Sequence, residues 1–253
     1  VIQQFKTEGI TDLILDLRFN NGGSVELARY LAASIAGTSH RSDVFMKMQR
    51  SSGADEYIRF GDGDDLNLKS VRIICSEETA SASELIISGL RGIDFPVKLF
   101  GSRTEGKNVG MEVQEYKYGN KYYEFAPITF RSFNAKDWGD YADGIDPDVM
   151  LNNQNSNYED DIDNVFPYAF GDWDNFDFNY PLYWALCDVQ GVDPMTGEPV
   201  KRSGRSGMTR SQPDEIIRVP SVPLKRPAGT FGSLIYNKPE VENLYSVSYT
   251  HLR

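Results

Sequence analysis

Histidine is scarce in this chain. Only His40 and His251 occur among 253 residues, which leaves a histidine base few places to stand. His40 follows a helical pattern in a polar loop. His251 lies in Ser248-Tyr249-Thr250-His251-Leu252-Arg253, which has no amphipathic pattern and reads as a non-native tail. Cysteine is equally rare: Cys75 and Cys187 allow one disulfide at most, and whether they pair is open, as is the redox compartment. Positive charge is short, with 26 Lys and Arg against 37 Asp and Glu and a formal net charge of −11. Such a surface repels phosphate backbones and argues against nucleic acid as a partner. No apolar run approaches the length of a membrane span. No signal peptide is visible at Val1 and there is no initiator methionine. Val1 to Gly9 reads as the last turns of a helix closing at a glycine, with Val1, Ile2 and Phe5 on one face, so the chain reads as a fragment.

Core-forming residues are present in ordinary amounts, 40% hydrophobic and 12% aromatic, and 253 residues are enough for one large domain, or for one domain with a long appendage. Leu13-Ile14-Leu15-Asp16-Leu17 is a short apolar run of the kind that forms a buried parallel strand. Ser24 can cap a following helix whose apolar face is Val25, Leu27, Ala28, Leu31, Ala32 and Ile35, ended by Gly37. Val71 to Cys75 predicts a second buried strand, with Cys75 as a small hydrophobe. Ala82 to Leu90 predicts a second helix, and Pro96 to Gly101 holds a third strand. This alternation predicts an α/β fold with a parallel sheet and packed helices. Met111 to Tyr118 and Lys121 to Phe133 are β-rich and meet at Gly119-Asn120, a hairpin signal. Tyr122, Tyr123, Phe125 and Phe130 in that stretch are expected in the core. Beyond residue 151 regularity fades. Asn152 to Asp163 is polar and acidic, Tyr180 to Val189 predicts a short helix, and Lys201 to Arg210 reads as a mobile basic loop. Pro213, Pro220, Pro223 and Pro227 predict an extended path.

Three features bear on chemistry. Ser81, in Thr79-Ala80-Ser81-Ala82-Ser83-Glu84, follows a buried strand and opens a helix, so its hydroxyl is expected at the carboxyl end of the sheet. Helix N-terminal amides there, that of Ala82 first, can stabilise an oxyanion; read alone, Ser81 is also an ordinary helix cap. A serine hydroxyl needs a base to act as a nucleophile. Lys107 is the better candidate within this chain, since one helix and one parallel strand fit between it and Ser81 and bring it to the same end of the sheet. Gly106 permits a tight turn beside it. Gly22-Gly23, after the first strand, presents further main-chain donors.

Taken together, Asp16-Leu17-Arg18-Phe19-Asn20-Asn21-Gly22-Gly23, Thr79 to Glu84, Gly101-Ser102-Arg103-Thr104-Glu105-Gly106-Lys107 and Gly144-Ile145-Asp146-Pro147-Asp148 resemble the C-terminal processing peptidases, or tail-specific proteases, of peptidase family S41. The resemblance covers roughly residues 1–150, as a catalytic core, and leaves 151–253 as a largely irregular extension. It implies a ClpP/crotonase-like fold and a Ser–Lys dyad. Ser81 would be the nucleophile and Lys107 the base, with Glu84 supporting the site. Gly22 or Gly23, with Ala82, would form the oxyanion hole. It further implies a protein or peptide substrate, no cofactor, and a bacterial cell-envelope location, periplasmic or lipoprotein-anchored. Some members carry a glutamine four residues after the lysine, where this chain has Met111, and many carry a PDZ domain that this chain lacks.

Two acidic stretches, Asp62-Gly63-Asp64-Asp65 and Asp172-Trp173-Asp174-Asn175-Phe176-Asp177, lack full calcium-loop spacing and read as solvated surface, so no metal is expected. Besides the serine endopeptidase, two other readings stand: crotonase-like acyl chemistry using paired amides without a serine nucleophile, and an inactive peptide-binding or envelope-interaction module. Oligomeric state is not legible.

Overall fold

Parallel strands buried on both faces set this fold. The computed structural model describes residues 2–51, 53–151 and 176–200. In chain order the elements are α1 (Ile2–Glu8), β1 (Asp12–Asp16), α2 (Val25–Ala36), β2 (Val44–Arg50), β3 (Glu56–Arg59), β4 (Ser70–Cys75), α3 (Ala82–Gly92) and β5 (Val97–Gly101). They continue with β6 (Val109–Met111), β7 (Gln114–Tyr118), β8 (Lys121–Phe125), β9 (Ile128–Phe133), β10 (Val149–Met150) and α4 (Phe176–Gln190).

Strands β1, β4, β5 and β10 form one sheet in the order β1-β4-β5-β10, and every pairing in it is parallel. The second sheet, β3-β2-β9-β6, is antiparallel, and β7 and β8 form a separate two-stranded ribbon. Helices α2 and α3 pack on each other, and α3 also packs on β2. Ala32, Ile35, Phe45, Ile73, Ile87, Leu90 and Leu99 sit at the centre of this main core. Burying each large aliphatic side chain here contributes about 1.5–3 kcal/mol.

Helix α4 covers the other face of the parallel sheet. Ala185 packs with Phe100 and Leu151, and Ile14, Val149 and Trp184 border them. Asp188 ties the helix down: it accepts from Arg72 Nε at 2.9 Å and from Lys98 Nζ, while Arg72 also reaches Asp12 at 2.6 Å. The predicted helix at Tyr180 to Val189 is therefore present, longer, and integral to the sheet's packing.

One expectation is corrected, and the open question of cysteine pairing is answered. Tyr122, Tyr123 and Phe125 are exposed, and of the four aromatic residues expected in the core only Phe130 is buried. The reason is that β7 and β8 form a ribbon of their own that is exposed along both strands, whereas Phe130 lies in β9 of the second sheet and packs into the main core. Cys75 and Cys187 are both free and buried. The Lys201 to Arg210 loop, the four later prolines, most of the Asp172 to Asp177 stretch and His251 lie outside the described residues.

Candidate active site

The carboxyl ends of β1 and β4 are stitched together by side chain to main chain hydrogen bonds. Arg18, buried just past β1, pairs with Asp16 at 2.7 Å and fixes the turn. Thr79 Oγ1 donates to the Leu17 carbonyl at 2.7 Å, Ser76 Oγ donates to the Arg18 carbonyl at 2.9 Å, and the Ala80 amide donates to the Asn20 carbonyl at 3.1 Å. The loop preceding Ser81 is thus pinned to the loop carrying Gly22-Gly23.

Ser81 starts α3 with φ 54° and ψ −117°. An ordinary helix cap is extended, and a left-handed serine costs about 1–3 kcal/mol that the surroundings must offset. Gly22 is part of what holds it. A Cβ on Gly22 would lie 2.7 Å from both the Ala80 carbonyl oxygen and the Ala82 nitrogen, and 2.8 Å from Ser81 Cβ. Only a glycine permits that approach, and its own φ is 98°. Asn20 closes the arrangement: its Oδ1 accepts from the Gly22 amide at 3.0 Å and from Ser83 Oγ at 2.8 Å. The Gly22 amide is therefore engaged. The amides of Gly23 and Ala82 have no hydrogen-bond partner among the described residues.

Glu84 is fully buried and joins the two halves of the site. Its Oε2 accepts from the Ser81 amide at 2.8 Å and the Lys107 amide at 2.9 Å. Its Oε1 accepts from the Gly106 amide at 2.8 Å and from Thr104 Oγ1 at 2.5 Å. Burial pushes the carboxyl above its ordinary pKa, against the lowering effect of these donors. All four partners donate, so the ionised form is the one that satisfies them.

Lys107 is half-buried at the carboxyl end of the sheet, past β5, as the helix-and-strand spacing predicts. Its flanks are fixed. Gly106 has φ 97°, and a Cβ there would fall 2.4 Å from the Ala142 oxygen and the Gly144 nitrogen. Thr104 exchanges bonds with Ile145, through N to O at 3.2 Å and through the Ile145 amide to Oγ1 at 2.7 Å. The Gly144-Ile145 turn is thereby the seat of the lysine loop. Asn108, buried, donates to the Gly139 carbonyl at 2.7 Å. Sequence reading missed Asn20, Thr104 and Asn108. The first two lie inside the quoted segments, and their signal is a polar side chain amid glycines at a strand end.

The other candidates fall elsewhere. His40 pairs with Asp43 at 2.7 Å beyond the far end of α2, where Thr38 bonds Asn67, just ahead of β4. That is the amino end of the sheet, opposite Ser81. Burial pushes the Cys75 thiol up to about 12, which leaves it inert as a nucleophile. Asp62 and Asp65 pair with Arg41, and Asp64 accepts from Gln3. Among the described residues no cluster is arranged to hold a metal ion. No described helix is long and apolar enough to cross a membrane.

Residues 1–151 match the model of peptidase family S41, and the chain belongs to that family. It is 26% identical over 147 residues to a probable CtpA-like serine protease of Staphylococcus haemolyticus, covering 57% of this chain and 28% of that protein. A probable CtpA-like serine protease of Staphylococcus aureus is 27% identical over 170 residues, covering 66% of this chain and 32% of that protein. The chain thus spans less than a third of the length of these relatives. A putative S41 protease from Bacteroides fragilis superposes with a TM-score of 0.61 at 23% identity, over 75% of this chain and 47% of that one. The α/β architecture with its parallel sheet is accordingly the ClpP-like fold of S41 proteases.

Proposed function

We propose that this chain is the catalytic core of a serine endopeptidase that cleaves proteins or peptides through a Ser81–Lys107 dyad. The observation that carries the reading is the left-handed turn at Ser81, held at the mouth of α3 where a plain cap would be extended. Ser81 Oγ attacks the scissile carbonyl and passes its proton to Lys107 Nζ. The resulting oxyanion is held by the free amides of Gly23 and Ala82, at the positive end of α3. Gly22 serves by having no side chain. Collapse breaks the C–N bond, and Lys107 returns the proton to the leaving amine. Water, deprotonated by Lys107, then attacks the acyl-enzyme, the acyl C–Oγ bond breaks, and Lys107 returns the proton to Ser81 Oγ as the acid leaves. Glu84 touches no substrate in this scheme; it positions Ser81 and Lys107 through their main chains.

The substrate would be protein or peptide, with no cofactor. Residues 1–150 would carry the chemistry, with residues 151–253 as an extension whose α4 buttresses the sheet. The envelope location rests on the family resemblance. The test is turnover of an unfolded protein by the full chain and by its Ser81→Ala and Lys107→Ala variants. Each substitution is expected to abolish turnover, and cleavage by purified Ser81→Ala overturns the reading. A second reading, peptide binding without turnover, is motivated by Met111, which stands where some members of the family carry a glutamine four residues after the lysine. Peptide binding with no hydrolysis by a longer chain would support it. Crotonase-like acyl chemistry would be marked by turnover that survives Ser81→Ala on thioesters.

A further inference from the structure

The β7–β8 ribbon has an aromatic face with no function in the scheme above. Cross-strand partners share a face, and the register pairs Gln114 with Phe125, Tyr116 with Tyr123 and Tyr118 with Lys121. One face therefore presents Tyr116, Tyr118, Tyr123 and Phe125, exposed at 60%, 71%, 43% and 57%. The other carries Glu115 opposite Glu124 and Lys117 opposite Tyr122. A two-stranded ribbon is marginal alone in water, and a directly opposed Glu pair weakens it further. Such local conflict, with four aromatic side chains in water, is expected where a surface serves a ligand.

The ribbon is also placed to serve the site. Lys107 is followed almost at once by β6, β6 leads into β7, and β8 returns through Pro127 into β9, the partner of β6. The outer edges of β7 and β8 have no strand partner among the described residues, so main-chain donors and acceptors are open for an added strand.

We propose that this face is a docking surface for unfolded polypeptide. It would hold an extended, apolar segment of the substrate while another segment occupies the Ser81 crevice, and in that last respect it rests on the peptidase reading. The occupant follows from size and charge. Two five-residue strands span roughly 17 Å by 10 Å, far below the roughly 800 Å² per partner of a stable dimer. With a net charge of −11, a second copy or an anionic lipid surface is repelled at long range. An extended segment needs only this small area and gains aromatic contact and strand pairing together.

The test uses the full chain carrying Ser81→Ala, titrated with fluorescein-labelled β-casein, an unfolded protein, at about 0.15 M salt to screen bulk charge. Adding Tyr116→Thr and Tyr123→Thr, both at exposed positions, is expected to weaken binding at least about fivefold. In the Ser81 background the same pair should raise KM for β-casein and leave kcat/KM for a short fluorogenic peptide unchanged. If that pair unfolds the ribbon, Tyr118→Thr at the tip repeats the measurement. Unchanged binding overturns the proposal, as does loss of a self-association seen by sedimentation with casein affinity intact. Ribbon-dependent binding without cleavage by the wild-type chain would sink the peptidase reading and leave the docking surface standing.

Discussion

The main-chain nitrogens of Ser81 and Lys107 both donate to one oxygen, Oε2 of Glu84, at 2.8 and 2.9 Å. Two loops that leave different strands of the sheet are thus registered against each other by a single buried carboxylate. Neither amide is a reacting group, so the effect of Glu84 on chemistry passes through position.

Replacing Glu84 by Gln retains the shape but turns two of its hydrogens toward groups that are themselves donors. Glu84→Gln is expected to lower stability by about 2–3 kcal/mol. It should lower kcat about a hundredfold with little change in KM, since small misplacements of reacting groups cost that much. Thermal melts and steady-state kinetics on one preparation check both. A loss confined to KM would contradict a positioning role.

The same carboxyl predicts a pH dependence of unusual sign. Burial raises its pKa in the folded chain. A carboxyl that binds its proton more tightly when folded favours the fold at low pH, and that contribution is lost as pH rises through the folded value. The ionised form, however, is the one that holds Ser81 and Lys107. Reaction rate should therefore fall on acidification through this raised pKa while the Glu84 contribution to stability grows. Rates of covalent labelling across pH, compared with Glu84→Gln, read this out; the variant should lack that acid limb.

At the glycine pair, two substitutions separate crowding from conformation. Gly22→Ala places a methyl 2.7 Å from main-chain atoms of Ala80 and Ala82, and should cost about 2–4 kcal/mol and most of the activity. Gly23→Ala meets open space and strains only its φ of 143°, so it should cost about 1–2 kcal/mol. Melting temperatures of the pair test this ordering.

On the opposite face of the sheet, Asp188→Asn removes the charge that pairs with Arg72 and Lys98. These side chains keep some solvent contact, so the loss should be about 1–2 kcal/mol, below that of a fully buried pair. Peptide turnover should be unchanged, because α4 packs on the strands rather than on the loops of the site.

Much of this was legible in the sequence because the informative segments are local. Leu13 to Leu17 and Val71 to Cys75 are continuous apolar runs, and they are the strands β1 and β4. Gly22 could be read as a turn from sequence, but the group it approaches lies some sixty residues away, so its contact with Ser81 could not. The aromatic run after Lys121 misled for a similar reason: alternation reports a half-covered strand, not which element covers it. Pro127 separates β8 from β9, and coverage ends there. Strands β2 and β3 went unread because Val44 to Arg50 mixes Met, Lys and Gln without clean alternation. Asp188 was hidden because its partners, Arg72 and Lys98, belong to distant strands.

The central claim is that Ser81 is a nucleophile activated by Lys107. Intact-mass analysis after exposure to a fluorophosphonate measures it directly. The account predicts one adduct, mapped to Ser81, absent in Ser81→Ala and strongly slowed in Lys107→Ala. An adduct of equal yield in Ser81→Ala, or a Lys107→Ala chain labelled at the wild-type rate, would contradict it.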